Sequence, residues 1–354
     1  MGGDGLATMK DIAALAGVST ATVSNVLSGK KLVGEDARKR VLDAVALTHY
    51  TPNPIAQSLR MNRTQTIGVL VEDISAFPVP DIVDGISEYL EGSGYQLILD
   101  NLHLLGKLYN HYEQLSQYKD IVNHGVRLMT STQVDGILYV SMHDRRIDRI
   151  IEAVNKPLVY ANAYSSLPGE PSVTYDNEVG AEKITQELIA HGHRRIALIG
   201  GHVASSPVKL RLRGFRAALD KAGLEAPTEY IRWGDWEFET GAEEAGRLLD
   251  MPLAPTAIFA MNDLMAAGCY AAARQRGLRI PEDLSVVGFD NREVASYLCP
   301  PLTTLAMPNK EIGRASAAMM VARLENPRAA IQNVVVACDV IGRESVSWPP
   351  QQSG

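Results

Sequence analysis

Thr20, Ala21, Thr22, Ser24 and Asn25 place five short side chains, four of them able to hydrogen-bond, within six positions of the chain. On one face of a helix they could recognise a polar surface such as the edges of stacked bases. The stretch 8–27, TMKDIAALAGVSTATVSNVL, supplies the elements to hold them there. Thr8 can cap a first helix, with Asp11 three residues on in capping-box position. Ile12, Ala13, Leu15 and Ala16 suit one packed face. Gly17 can end that helix with positive φ. Ser19 can cap a second helix, whose Val23, Val26 and Leu27 fall on a buried side. A helix, a glycine turn and a helix with an outward face of short polar residues is the geometry that enters a DNA major groove. An ordinary αα-hairpin has the same outline, and this segment alone leaves both open.

Its neighbours extend the pattern. Residues 35–46 read as a third helix, with Val41, Leu42 and Val45 inward and Arg38, Lys39 and Arg40 outward. Then come YTPNPIAQSLRMNRTQTIGVLV (50–71), GHRRIALIGG (192–201), RLRGFRAAL (211–219), AIFAMNDLMAAG (257–268), IPEDLSVVGFDN (280–291) and PPLTTLAMP (300–308). With AGVSTATVSNVL (16–27), these ordered motifs resemble the LacI/GalR (lactose-repressor/galactose-repressor) family of bacterial transcription regulators. The resemblance covers nearly the whole chain. It implies that Thr20, Ala21 and Asn25 touch base edges, while Thr8, Thr22, Ser24 and Ser28 suit phosphates. Many relatives carry Arg at the Asn25 position; Asn favours adenine and Arg guanine, so no operator sequence is carried over. Residues 53–60 match a second DNA element, a hinge helix with Asn53 as cap, Pro54 at its first position and Ala56, Leu59 and Arg60 following. Two turns are marginal alone. The resemblance implies that this helix folds when two copies meet over DNA and that Leu59 wedges into a minor-groove step.

The charge distribution agrees with that reading. The net charge of the 354 residues is −7, yet residues 1–63 hold eight Lys and Arg against five Asp and Glu. A module at +3 on a body at −10 is the asymmetry of a DNA reader joined to a separate sensor. Cys269, Cys299 and Cys338 have no metal-ligand spacing and read as buried, reduced thiols. No basic segment followed by an apolar one opens the chain, and no apolar run reaches about 18 residues. A cytoplasmic protein without membrane contact is therefore expected, with no cofactor.

From Ile67 onward short apolar strands alternate with helical patterns. The first series is 67–71, 96–100, 136–140 and 158–161, with helices near 82–91 and 147–153. The second is 172–176, 196–200, 230–233, 256–260 and 285–289, with helices near 180–190, 213–222, 239–249, 263–276 and 310–324. The fold class is thus an N-terminal all-α helix-turn-helix module plus hinge helix, followed by an α/β sensor of two doubly wound parallel-sheet subdomains. The two halves resemble the type I periplasmic-binding-protein fold. The domains are expected at 1–52, 53–66 and 67–345, with a tail at 346–354. The family crosses between the halves three times, here placed near Asn162, Asn291 and Arg323. One subdomain would then span 67–162 and 292–323, and the other 163–291 and 324–345. The segment 102–132, with Tyr109, Tyr112, Tyr118, His111 and His124, is longer than the family leads one to expect. It reads as a lengthened surface helix, with a ligand-shielding or dimer-specific element as the alternative.

Ligands in open α/β sheets bind beyond the carboxyl ends of the strands. The resemblance puts Arg211, Trp236, Asn262 and Asp290 there, with Asp73, Phe77 and Asn162 from the other half. An aromatic platform beside polar groups that bond in pairs fits a sugar; a purine or nucleoside could use the same set. The function expected is a homodimeric repressor of a pseudo-palindromic double-stranded operator, controlled by a small sugar-like effector, or by a purine or nucleoside corepressor. A solute-binding protein for transport has the fold but no use for residues 8–60. An enzyme is not expected: GGHVASS (200–206) is not G-x-G-x-x-G, no P-loop is present, and no catalytic triad or metal set emerges.

Overall fold

The computed structural model describes residues 7–27, 33–50, 63–109, 111–328 and 332–350. Ser28 and the hinge positions Asn53, Ala56, Leu59 and Arg60 lie outside the described residues. The chain divides into two compact units, Met1–Gln65 and Thr66–Gly354.

The first unit holds helices Met9–Ala16, Thr20–Leu27 and Glu35–Thr48. They enclose a core of Ile12, Ala13, Ala16, Val23, Val26, Val41 and Ala44. Thr8 and Asp11 form the reciprocal capping box. Gly17 ends the first helix at φ 63°, in the left-handed region, and the Ser19 hydroxyl accepts the Thr22 N–H at 3.1 Å to start the second. Leu15 and Leu42, expected inside, are exposed. At 3.6 residues per turn each sits roughly a quarter turn off its helix's buried stripe, and the small Ala16 and Ala44 bring the helices together instead.

The second unit contains two six-stranded sheets. The first runs β11-β5-β4-β3-β1-β2, from Val334–Val336 (β11), Ser172–Tyr175 (β5), Leu158–Ala161 (β4), Gly136–Val140 (β3), Thr66–Val71 (β1) and Gln96–Asn101 (β2). Its strand pairs are parallel, with Ile67 opposite both Leu97 and Gly136. The second runs β12-β10-β9-β8-β6-β7, from Asp339–Ile341 (β12), Thr303–Ala306 (β10), Ser285–Asp290 (β9), Ala257–Ala260 (β8), Ile196–Gly200 (β6) and Ile231–Trp233 (β7). Only β12 runs antiparallel to its neighbour. The central strands are buried along their whole length. That is why they read as unbroken apolar runs: helices cover both faces of such a sheet.

Each lobe clamps a helix pair closely. A Cβ on Gly85, in helix Val79–Gly92, would lie 2.1 Å from the Lys310 carbonyl oxygen of helix Asn309–Glu325. A Cβ on Gly214, in helix Ser206–Lys221, would lie 2.0 Å from the Glu178 carbonyl oxygen of helix Asn177–Ala190.

The strand pairing moves the three crossings. β5 pairs with β4 and so extends the first sheet, β10 pairs with β9 in the second, and β11 and β12 join opposite sheets. The chain therefore crosses just after Tyr175, between Ala306 and Asn309, and between Val336 and Asp339, rather than near Asn162, Asn291 and Arg323. Helix Asn309–Glu325 packs on the first sheet. The SVTY and TTLA strands are four residues each and mix hydroxyl with apolar side chains, which either sheet would accept, so only pairing assigns them.

Three further expectations are corrected. Residues 147–153 form no helix: Arg146 bridges to Tyr164, and Ile147, Ile150 and Ile151 are buried from a coil. Segment 102–132 is not one lengthened helix but a short helix Leu105–Leu108, a 3-10 turn Tyr112–Tyr118 and helix Lys119–Ser131. Cys299 is exposed, whereas Cys269 and Cys338 are buried. No helix among the described residues is long and apolar enough to cross a membrane.

Candidate ligand cleft and nucleic-acid face

In the first unit, Thr20 and Ala21 are exposed at the start of the second helix, and Thr22, Ser24 and Asn25 are half-buried. Two of the expected phosphate contacts already have local partners. The Thr8 hydroxyl donates to Asp11 Oδ2 at 2.6 Å, and the Thr22 hydroxyl lies 2.9 Å from Ser19 Oγ. Thr20 and Ala21 thus form the open entrance of the helix, the end that helix-turn-helix proteins turn toward base edges.

In the second unit, a cavity of about 540 Å³ opens where the strands of both sheets end. Arg211, Trp236, Asn262, Asp290, Phe77 and Asn162 all line it. Asp73 does not. It lies beneath the rim, where its carboxylate accepts the Ser75 N–H at 3.1 Å, the Ser75 hydroxyl at 2.7 Å and the Leu105 N–H at 3.2 Å. It shapes the loop that carries Phe77 instead of facing the cavity.

The second-sheet wall is a bonded network. Arg211 is buried; its Nε donates to Asn177 Oδ1 (2.9 Å), its Nη1 to the Met261 carbonyl and its Nη2 to the Tyr175 hydroxyl (3.1 Å). Its guanidinium lies 3.5 Å above the centre of the Phe289 ring and 5.6 Å from that of Trp236. Asp290 faces it at 3.7 Å. Burial pushes the Asp290 carboxyl up to about 8, against the pull of Arg211 and with the help of nearby Asp263. Asp263, pushed by burial to about 6, accepts from the Thr304 hydroxyl (2.6 Å) and the Arg292 N–H (2.6 Å). Asn262 caps helix Asp263–Gln275: its Oδ1 accepts the Met265 N–H and its Nδ2 donates to the Trp236 carbonyl, both at 2.8 Å. Its amide is committed to the protein at both ends.

The first-sheet wall is less bonded. Asn162 donates Nδ2 to the Ser141 carbonyl at 3.0 Å, and its Oδ1 is buried without a partner among the described residues. Phe77 lies under the Arg292 guanidinium, 4.9 Å away. Two residues not named as ligand positions from the sequence complete this wall, Tyr112 belonging to the segment for which a ligand-shielding role is the alternative. Asp144 lines the cavity; its Oδ2 accepts from Asn177 Nδ2 at 2.7 Å while its Oδ1 has no partner among the described residues, and burial pushes its carboxyl up to about 7. Tyr112 stacks on His143, ring centres 4.2 Å apart. Burial, with Arg145 and Arg211 adding to it, pushes the His143 pKa well below the usual range, so the ring is neutral. The signal for Asp144 was its place just beyond the apolar run of β3, where a strand end meets the cleft.

Asn162, Trp236 and Asp290 have φ of 56°, 76° and 113°. Such left-handed backbone at non-glycine residues costs on the order of 1–3 kcal/mol each and gathers at ligand sites. Three buried polar atoms of cavity-lining residues, Asp144 Oδ1, Asn162 Oδ1 and Trp236 Nε1, have no partner among the described residues.

A two-lobed α/β binding unit on the same chain as a helix-turn-helix module defines a class: DNA-binding regulators that respond to small molecules. The comparisons agree. Residues 8–53 match the family described as "Bacterial regulatory proteins, lacI family", and residues 185–346 match "Periplasmic binding protein-like domain". The chain is 34% identical to the ribose operon repressor of Haemophilus influenzae over 342 residues, 96% of this chain and 99% of that one. It is 32% identical to the HTH-type transcriptional repressor PurR of Vibrio cholerae, covering 96% and 98% of the two. Among solved structures it matches the lac repressor dimer bound to operator and the anti-inducer ONPF, with a TM-score of 0.78, 26% identity and coverage of 97% and 100%. The chain belongs to the LacI family of bacterial transcription regulators. It is a DNA-binding protein and not an enzyme.

Proposed function

We propose that two copies of this chain repress transcription by clamping a pseudo-palindromic operator, and that an uncharged sugar in the cleft sets their hold on it. Thr20, Ala21 and Asn25 read bases, and Leu59 of the hinge segment enters the minor groove. The observation that carries the ligand reading is the second-sheet wall, where Asp290 and the Trp236 ring stand beside an Arg211 whose three nitrogens already bond the protein. A guanidinium so engaged leaves little for a phosphate, while a carboxyl and an indole suit the hydroxyls and apolar face of a sugar ring. The relation to a ribose operon repressor supports the same class. The ligand acts through a coupling free energy, typically about 1–3 kcal/mol, that operator and ligand share reciprocally.

The test is a thermal-shift screen of free sugars, sugar phosphates and nucleobases, repeated on Asp290→Asn. A ligand at 100 times its Kd adds about 2.7 kcal/mol of stability. A free sugar that raises the melting temperature of the wild type but not of the variant supports the assignment. Operator anisotropy with and without that sugar gives the sign of control. A shift by nucleobases alone sinks the sugar reading and favours the purine one, since a flat base stacks on Trp236 equally well.

A further inference from the structure

The space between the lobes is divided. Beside the main cavity lies a second, of about 370 Å³, and Tyr112 and His143 line both. They form the wall between them. The Tyr112 ring lies nearly parallel to the His143 imidazole, 16° between planes, and His143 meets Trp236 edge-on at 5.7 Å. His143 Nε2 is 2.5 Å from the Ser205 hydroxyl at the head of helix Ser206–Lys221, so the wall runs from the first lobe to the second. Arg145 stands over the Tyr112 ring, 5.6 Å from its centre.

The wall is firmly carried. Tyr112 begins the 3-10 turn of segment 102–118, whose Leu104, Leu108 and Leu115 are buried in the core of the first lobe. The Leu104 N–H donates to the Glu72 carbonyl at 2.8 Å, and the Tyr118 hydroxyl donates to the Lys107 carbonyl at 3.0 Å, closing the segment on itself. Offset aromatic stacking adds to the burial that holds Tyr112 in place.

The far chamber is lined by Arg146, Asp148 and Ser206. Arg146 pairs with Asp148 at 3.2 Å, and Asp148 also accepts from Ser165 and Ser166. The Tyr112–His143 stack is what separates this polar chamber from the near one. We propose that Tyr112, buttressed by His143, limits the size of the effector: it closes the cleft on this side, and its removal joins the chambers into a site for a longer ligand. This rests on the sugar reading of the cleft.

The experiment is calorimetric titration of the full chain with ribose, glucose and galactose, the disaccharides maltose, cellobiose and lactose, and the pairs adenine/adenosine and hypoxanthine/inosine. Wild type, Tyr112→Ala and Tyr112→Phe are compared. We expect the wild type to prefer the smaller member of each pair, read as a ratio of affinities. Tyr112→Ala should narrow that ratio at least tenfold by gaining the larger ligand, and Tyr112→Phe, which keeps the ring, should leave it unchanged. An unchanged ratio in Tyr112→Ala, equal loss of both ligands, or a wild type indifferent to size overturns the proposal. Binding of bases in place of sugars overturns the sugar reading alone, and the base-to-nucleoside ratio then tests the wall. A crystal structure of Tyr112→Ala gives a readout free of ligand: merged cavities support the wall, and separate ones overturn it.

Discussion

The two lobes share a sheet order and a way of packing helices, yet they build their faces of the cleft differently. The second lobe supplies a closed circuit: Arg211 is tied to Asn177, Met261 and Tyr175, and Asn262 is bonded at both ends of its amide. The first lobe supplies groups with bonding capacity left over, Asp144 and Asn162 each with a buried oxygen unpaired, together with the Tyr112–His143 stack. The second face is the more closely bonded, with Trp236 Nε1 left over among the described residues, and the first leaves two oxygens unpaired. The larger bonded frame thus belongs to the second lobe, and the larger share of unpaired acceptors to the first.

The largest effect that could break this contrast is expected from Arg211→Ala. It leaves Asn177, the Met261 carbonyl and the Tyr175 hydroxyl without their buried partner, and each buried group so stranded costs about 1–3 kcal/mol. Urea denaturation should show a matching fall in midpoint, and Arg211→Lys should not restore it, because an ammonium cannot reproduce the fork. A drop under 1 kcal/mol would mean the circuit is not the rigid part.

Next in size, the glycine contacts test whether the lobes are alike beneath their differing faces. Gly85→Ala and Gly214→Ala each force a Cβ within about 2 Å of a carbonyl oxygen, and overpacking of this kind typically costs about 1–3 kcal/mol. Equal losses in calorimetric melting are expected. A loss confined to one variant would show that one lobe yields where the other does not.

The pH profile sharpens the contrast further. Asp144 in the first lobe is raised to about 7 and Asp290 in the second to about 8, both from an ordinary 3.8 and both by burial. A carboxyl raised on folding binds its proton more tightly in the native state. Its contribution is therefore full below about pH 4, declines as the pH rises, and is gone once the folded pKa is passed. Melting temperatures should fall between about pH 6.5 and 8, above the range in which the buried, neutral His143 and His193 add stability as the pH rises. Asp144→Asn should flatten the portion ending near 7, and Asp290→Asn the portion extending to 8. A profile that rises over this range contradicts both assignments.

The smallest effect separates the two asparagines. Asn262→Ala removes a helix cap, worth about 1 kcal/mol, and should leave ligand affinity within about threefold if its amide serves only the protein. Asn162→Ala should cost less stability but weaken the ligand about tenfold or more, a loss of about 1.4 kcal/mol. Reversed results in titration would exchange the roles given to the two walls.

This difference between the faces also explains what the sequence disclosed. The second-lobe positions sit inside contiguous motifs: Arg211 three residues before Gly214, and Asp290 at the end of an apolar strand. The helix-turn-helix was readable for the same reason, since Thr8, Gly17 and Ser19 act on neighbours within a few residues. Asp144 is bonded to Asn177, Tyr112 stacks on His143, and His143 in turn meets Ser205, 62 positions on; the end of β3 hints at Asp144, but no local pattern records these meetings. The isoleucines at 147, 150 and 151 misled in the opposite way: their spacing suits a helix, but the Arg146–Tyr164 bridge is followed by a turn in which Arg149 has φ 58°, and they are buried from that turn. The crossings were misplaced because SVTY and TTLA are strands whose sheet is chosen only by pairing with partners already in place.

The last crossing has a bearing on how the molecule is made. β11 and β12 close the edges of opposite sheets, and only two residues separate them near the carboxyl terminus. During synthesis neither lobe can be finished before the other. Both wait, open-edged, for the same few residues to leave the ribosome, so a chain released before about residue 334 lacks an edge strand in each sheet at once. Truncation before this crossing therefore impairs both lobes together rather than one.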